Sequence, residues 1–155
     1  MPKWKQHFPE KFKLYHLSES NLDGVELEPR PISKDRAMES EDTRSKRICV
    51  STSIDGALQG IGYSDYDCIG KVLYVHEPAN LDWLFEHDKV YQPNENQVPD
   101  AKVTGEFWLK AKSKMKLVGK IAITDLIDGS GDDSLMFFIK DYKTWCDKIK
   151  WKWLA

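Results

Sequence analysis

The sequence predicts an α+β domain with mostly antiparallel strand pairing and a C-terminal helix. Short β-branched or alternating runs recur between polar turns, whereas two segments repeat apolar residues at helical spacing. At 155 residues and 41% hydrophobic content, the chain is long enough to bury one core without metals or disulfides, so a single domain over residues 1–155 is expected.

The first expected strand spans Phe12 to Leu17, with Phe12, Leu14 and His16 on one face and Lys13, Tyr15 and Leu17 on the other. Ser18 to Gly24 end it, and Pro29 and Pro31 around Arg30 force an extended loop. Ser33 to Arg47 is nearly all polar and reads as a long loop. ICVSTS, Ile48 to Ser53, is the next strand, and the Ser53 hydroxyl suits the cap of a helix carrying Ile54, Ala57, Leu58 and Ile61. KVLYVHEP, Lys71 to Pro78, is the third strand, and Asn80 to Glu86 is a short helix. His87 to Lys102 reads as a second long loop around Pro93 and Pro99. GEFWLKA from Gly105 and KLVGKIAITDL from Lys116 are expected to form a hairpin turning at Lys112 to Lys114, which makes five strands in all. Leu135, Phe138, Tyr142, Trp145 and Ile149 have the spacing of the C-terminal amphipathic helix.

No apolar run approaches the roughly 20 residues that span a bilayer, so no membrane association is expected. The N-terminal residues lack the pattern of a secretory leader, and the three cysteines share no close spacing, which together point to a reducing, cytoplasmic setting. A formal charge of -2 gives no general attraction for nucleic acid. Locally, lysines interleave with aromatics at both ends, in residues 1–13 and around Trp151 and Trp153. Such segments can hold single strands by charge and stacking, but the plainer reading packs the tryptophans back on the domain. His76 and His87 show no metal-ligand spacing, and no metal is expected. Cys49 reads as a small strand hydrophobe, and Arg30 and Arg47 as surface or ion-pair residues whose planar forks also suit a pyrophosphate.

The order of LYHLSESNLDGVELEPR, ICVSTSIDGAL with the following Gly60, GKVLYVHEP and KLVGKI resembles the ADP-ribosyltransferase fold, closest to its rifampin ADP-ribosyltransferase-like branch, from about Lys13 to Ile121. The resemblance implies a two-sheet core and NAD as substrate, with ADP-ribose passed to a protein, a small molecule or water. It also implies that His16 holds the nicotinamide ribose, a task suited to an imidazole with one donor and one acceptor. The second motif is degenerate, because Cys49 stands where the family has a tyrosine stacked on nicotinamide, and Tyr15 or Trp108 would have to substitute. Ser51, Thr52 and Ser53 look instead like the serine-threonine-serine motif of the arginine-serine-glutamate branch, where it orders the NAD site.

The resemblance further requires a carboxylate beside the anomeric carbon as positive charge develops there. Glu106, opening a strand after the long loop, is one candidate, and Asp82, Glu86 and Asp88 are the others. The expected site therefore comprises His16 and Glu106 as catalytic residues, with Tyr15, Leu17, Arg30, Ser51, Thr52 and Trp108 against the nucleotide. His16 and Ser51 should line a cleft between adjacent strands, bordered by the loops Ser33 to Lys46 and His87 to Lys102. A non-catalytic nucleotide- or protein-binding module on the same fold is the alternative, favoured by the missing tyrosine.

Overall fold

The computed structural model describes residues 12–31, 42, 44–61, 66–94, 96–98, 104–126 and 149–154. Among them, eight strands form two sheets and every pairing is antiparallel. The strands are β1 (His16–Ser18), β2 (Glu26–Leu27), β3 (Ile48–Ser51), β4 (Val72–Pro78), β5 (Val90–Tyr91), β6 (Glu106–Leu109), β7 (Ser113–Leu126) and β8 (Ile149–Leu154). Two α-helices accompany them, α1 (Ile54–Ile61) and α2 (Leu81–Glu86). The mixed, mostly antiparallel two-sheet architecture read from the sequence is thus present.

The larger sheet runs β1-β4-β7-β2, with β8 also on β7, and the smaller one runs β3-β6-β5. One long strand organises the larger sheet: β7 pairs with β4 along one edge and with β2 and then β8 along the other. Each sheet has its own core. Leu17, Leu73, Val75, Ile121, Ile123 and Ile149 pack with Ile54 and Leu58 of α1, while Leu14, Ile48, Val50, Phe107 and Leu109 pack with Leu84 of α2. The extended run from Leu14 into β1 serves both, since Leu14 and Leu17 differ by an odd number of residues and fall on opposite faces.

Helix α1 starts where expected, with the Gly56 amide donating to the Ser53 hydroxyl at 3.0 Å. Gly56 is required there, because a Cβ would collide with the Thr104 carbonyl oxygen. No helix among the described residues is long and apolar enough to cross a membrane.

Three expectations are corrected. The strands at Gly105 and Lys116 do not form a hairpin: β6 pairs with β3 and β5, and β7 with β4, β2 and β8, so residues 110–112 carry the chain from one sheet to the other. The lysine-rich turn was a poor guide because Phe107 and Leu109 fill one core and Ile121 and Ile123 the other. The stretch His87 to Lys102 is not loop throughout, since Val90 and Tyr91 form β5 on the edge of β6. Ile149 opens strand β8 rather than ending a helix, in keeping with the period-two alternation of IKWKWL. The remainder of the expected C-terminal helix, Leu135 to Trp145, lies outside the described residues, as do residues 1–11 and most of the loop Ser33 to Lys46. At the C-terminal end Trp151 packs on the first core and donates its indole N–H to Asp55 of α1 at 2.9 Å, and Trp153 lies over Gly119.

Candidate functional site

A backbone bridge at the start of β1 links the two sheets. Tyr15 and Ser51 exchange both backbone hydrogen bonds, at 2.8 and 3.0 Å, which joins β1 to β3. Ser51 therefore turns its N–H and C=O toward β1, and by the two-residue period Cys49 does the same. Beyond the bridge, however, β1 leaves β3 and pairs with β4, placing His16 opposite His76 and Leu17 opposite Val75. The Cys49 carbonyl is left facing the opening between the sheets, and His16 fills the role of the missing strand: its Nδ1 lies 3.0 Å from that oxygen. A carbonyl only accepts, so Nδ1 carries the proton and Nε2 keeps its lone pair. Burial lowers the pKa of His16 from 6.5, against the opposing pull of the Cys49 carbonyl, which favours this neutral tautomer.

The neighbouring histidine differs. His76 is fully buried, its Nδ1 donates to the His16 carbonyl at 3.2 Å, and its Nε2 accepts the Leu22 amide at 2.9 Å. Desolvation is again the main cause of a lowered pKa. The ring pins the loop after β1, which the Asp23 carboxylate fastens further by accepting the Leu117 amide at 2.9 Å.

On its other edge β3 pairs with β6, and the register sets Ser51 opposite Glu106 and Cys49 opposite Trp108. Because the backbone groups of Ser51 and Cys49 face β1, both are non-hydrogen-bonded pairs, the type in which side chains approach most closely. A row Tyr15, Ser51, Glu106 thus crosses three strands on one face. His16, next along the chain, starts on the other face and bridges the opening beside them. The Glu106 carboxylate accepts the Trp108 indole N–H at 2.7 Å, so its position is fixed from within its own strand.

The serine-threonine-serine turn is keyed to the segment that delivers Glu106. The Ser51 hydroxyl donates to the Thr104 carbonyl, and the Thr52 amide donates to the Gly105 carbonyl at 3.1 Å. Gly105 has φ +68° and its Cα faces Thr52 Oγ1, so a side chain there would be strained and obstructed.

The expected site residues divide accordingly. His16, Tyr15, Ser51, Thr52 and Glu106 are brought together on adjacent strands. The Leu17 side chain is buried in the core beneath α1. Arg30 is exposed and bridges Arg47 by backbone, at the end of β3 remote from Ser51. Trp108 is fully buried, with Cys49 and Val98 packed against it. The other carboxylates, Asp82, Glu86 and Asp88, are exposed on or just after α2, and α2 packs on the core formed by Val50 and Phe107, the face of the small sheet opposite Ser51 and Glu106.

Two residues gained importance only in three dimensions. His76 holds the loop over the histidine pair, and Arg47, read from sequence as a surface or ion-pair residue, is buried, its guanidinium carbon 4.1 Å above the Trp108 ring. The parity of Arg47 with Cys49 and Ser51 was the available signal, since it extends the same face of β3. In comparisons with known proteins, no family model, curated protein or solved structure matches the chain.

Proposed function

We propose that the chain is an ADP-ribosyltransferase-like enzyme that cleaves the nicotinamide glycosidic bond of NAD and transfers ADP-ribose to a protein, a small molecule or water. The observation that carries this reading is the cross-strand row in which Ser51 lies between Tyr15 and Glu106, with His16 beside it. In the reaction nicotinamide leaves with the electron pair of the C–N bond, positive charge develops at the anomeric carbon, and the acceptor adds there and loses its proton. His16 would hold the nicotinamide ribose through Nε2, the nitrogen that its Cys49 hydrogen bond leaves as acceptor. Glu106 would face the developing charge, oriented beforehand by the Trp108 indole. Glu106 is preferred to Asp82, Glu86 and Asp88 because it alone of the four shares a face with Ser51.

One observation favours a second reading, a nucleotide- or protein-binding module without turnover. Cys49, at the position of the family's stacking tyrosine, packs against Trp108 and offers nicotinamide no aromatic platform. Calorimetry with NAD and with ADP-ribose, followed by an assay for released nicotinamide, separates the two. Binding with turnover supports the enzyme, binding alone supports the module, and no binding of either nucleotide rejects both NAD readings. In an active enzyme Glu106→Gln should slow nicotinamide release by roughly 100-fold while leaving NAD binding and folding intact. An unchanged rate would move the charge-stabilising role to another carboxylate.

A further inference from the structure

Arg47 is 4% exposed, and its Nε and Nη1 are buried without a hydrogen-bond partner. Among the described residues, its guanidinium makes one hydrogen bond, from Nη2 to the Asp42 carbonyl oxygen. The adjacent carboxylate does not neutralise it by contact. Asp42 turns its oxygens onto its own turn, accepting the Arg44 amide at 2.8 Å, the Ser45 amide at 3.0 Å and the Ser45 hydroxyl at 2.6 Å. Those bonds, with a smaller contribution from the charge of Arg47, hold its pKa down to about 2, so the carboxylate is ionised.

A second cation stands beside Arg47. The Lys110 ammonium lies 5.0 Å from the centre of the same Trp108 ring and 5.4 Å from that of Tyr91, and donates to the Lys46 carbonyl at 3.2 Å. Desolvation and then the charge of Arg47 lower the Lys110 pKa, as expected for two cations sharing one apolar floor. Lys110 and Tyr91 are exposed, so this end of the cluster opens to solvent.

A buried guanidinium is costly unless it is paired and its donors are used. Guanidinium geometry sharpens the point. Nη2 carries two hydrogens, one directed alongside Nε–H and the other alongside Nη1–H, and the Asp42 carbonyl needs only one. Whichever it takes, one complete two-donor fork remains without an acceptor among the described residues. Such a fork matches the oxygen spacing of a phosphate or carboxylate, and stacking on an indole holds it in a fixed plane.

We propose that Arg47 and Lys110, on the floor formed by Trp108 and Tyr91, are a binding site for the phosphoryl oxyanion of a small ligand. The site lies at the opposite end of β3 from Ser51, four residues or roughly 13 Å along the strand. It stands whether or not NAD is cleaved at the other end.

The test is a titration of the full chain with inorganic pyrophosphate, with sodium chloride at matched ionic strength as control and sodium acetate in parallel. Thermal unfolding and the ¹H–¹⁵N resonance of Arg47 Nε–H, assigned by its loss in Arg47→Lys, report binding. Pyrophosphate should raise the unfolding temperature beyond the chloride control and shift that resonance. Lys110→Ala, at an exposed position that leaves the fold intact, should weaken pyrophosphate binding by about tenfold or more. An unmoved Arg47 resonance, stabilisation no greater than with chloride, or full affinity in Lys110→Ala would overturn the site. Tighter binding of acetate than of pyrophosphate would overturn the phosphoryl assignment.

Discussion

His16 and His76 occupy paired positions on neighbouring strands, their rings 6.4 Å apart, yet they hold their protons for different ends. His76 is fully buried and uses both nitrogens within the protein, one on the His16 carbonyl and one on the Leu22 amide. His16 is half-buried and, among the described residues, commits Nδ1 alone, to the carbonyl that β1 abandons when it turns to β4. Identical side chains in register therefore divide into a structural clamp and a group that still has a lone pair to offer. What decides between them is which strand edge each ring faces, not the residues on either side in the chain.

Replacing the clamp should do the most damage. His76→Ala removes both bonds and strands a buried amide, so a loss of about 3 kcal/mol in urea unfolding is expected. A loss below about 1 kcal/mol would mean that the ring is not the fastening of the loop. His16→Ala should cost only about 1 kcal/mol of stability, yet weaken NAD binding about tenfold if the proposed site is correct. Equal stability losses in the two variants would erase the distinction between them.

The pair also predicts a pH dependence. Both histidines have a pKa lowered from 6.5 in the folded protein, chiefly by desolvation. Below pH 6.5 the unfolded chain therefore binds more protons than the native one, and stability rises with pH through this window. Their contribution is complete above pH 6.5 and is lost as pH falls through the folded-state values, with a slope of at most about 1.4 kcal/mol per pH unit for each ring. Urea titrations between pH 5 and 7 should show the decline, and His16→Ala should reduce its slope without abolishing it. The smallest effect is kinetic: diethylpyrocarbonate should modify His16 before His76, because His76 Nε2 accepts the Leu22 amide whereas His16 Nε2 has no partner among the described residues.

Much of the secondary structure was legible because local signals agreed with tertiary demands. Ser53, Ile54 and Leu58 mark a cap followed by a buried helical stripe, and α1 forms there. Leu73 and Val75 alternate with Tyr74 and His76, and β4 forms there. The failures have a common cause in long-range pairing. Residues 112–114 look like a hairpin turn locally, but the choice of partner strands depends on cores assembled from distant segments. The candidate site is legible as residue types rather than as geometry: His16, Ser51 and Glu106 stand out in the sequence, while the hydrogen bond to Cys49 and the burial of Arg47 depend on contacts between distant segments.

Trp108 touches both ends of this surface. Its ring lies under the Arg47 guanidinium, 4.1 Å from the centroid, while its indole N–H holds Glu106 at 2.7 Å. A rigid bicycle of this kind cannot tilt toward one contact without disturbing the other. With the ligand proposed above bound, any draw of the guanidinium across this face would change the angle at which the N–H meets the carboxylate. Trp108→Phe would cut that linkage while keeping an aromatic floor under Arg47, because it removes the indole hydrogen bond to Glu106.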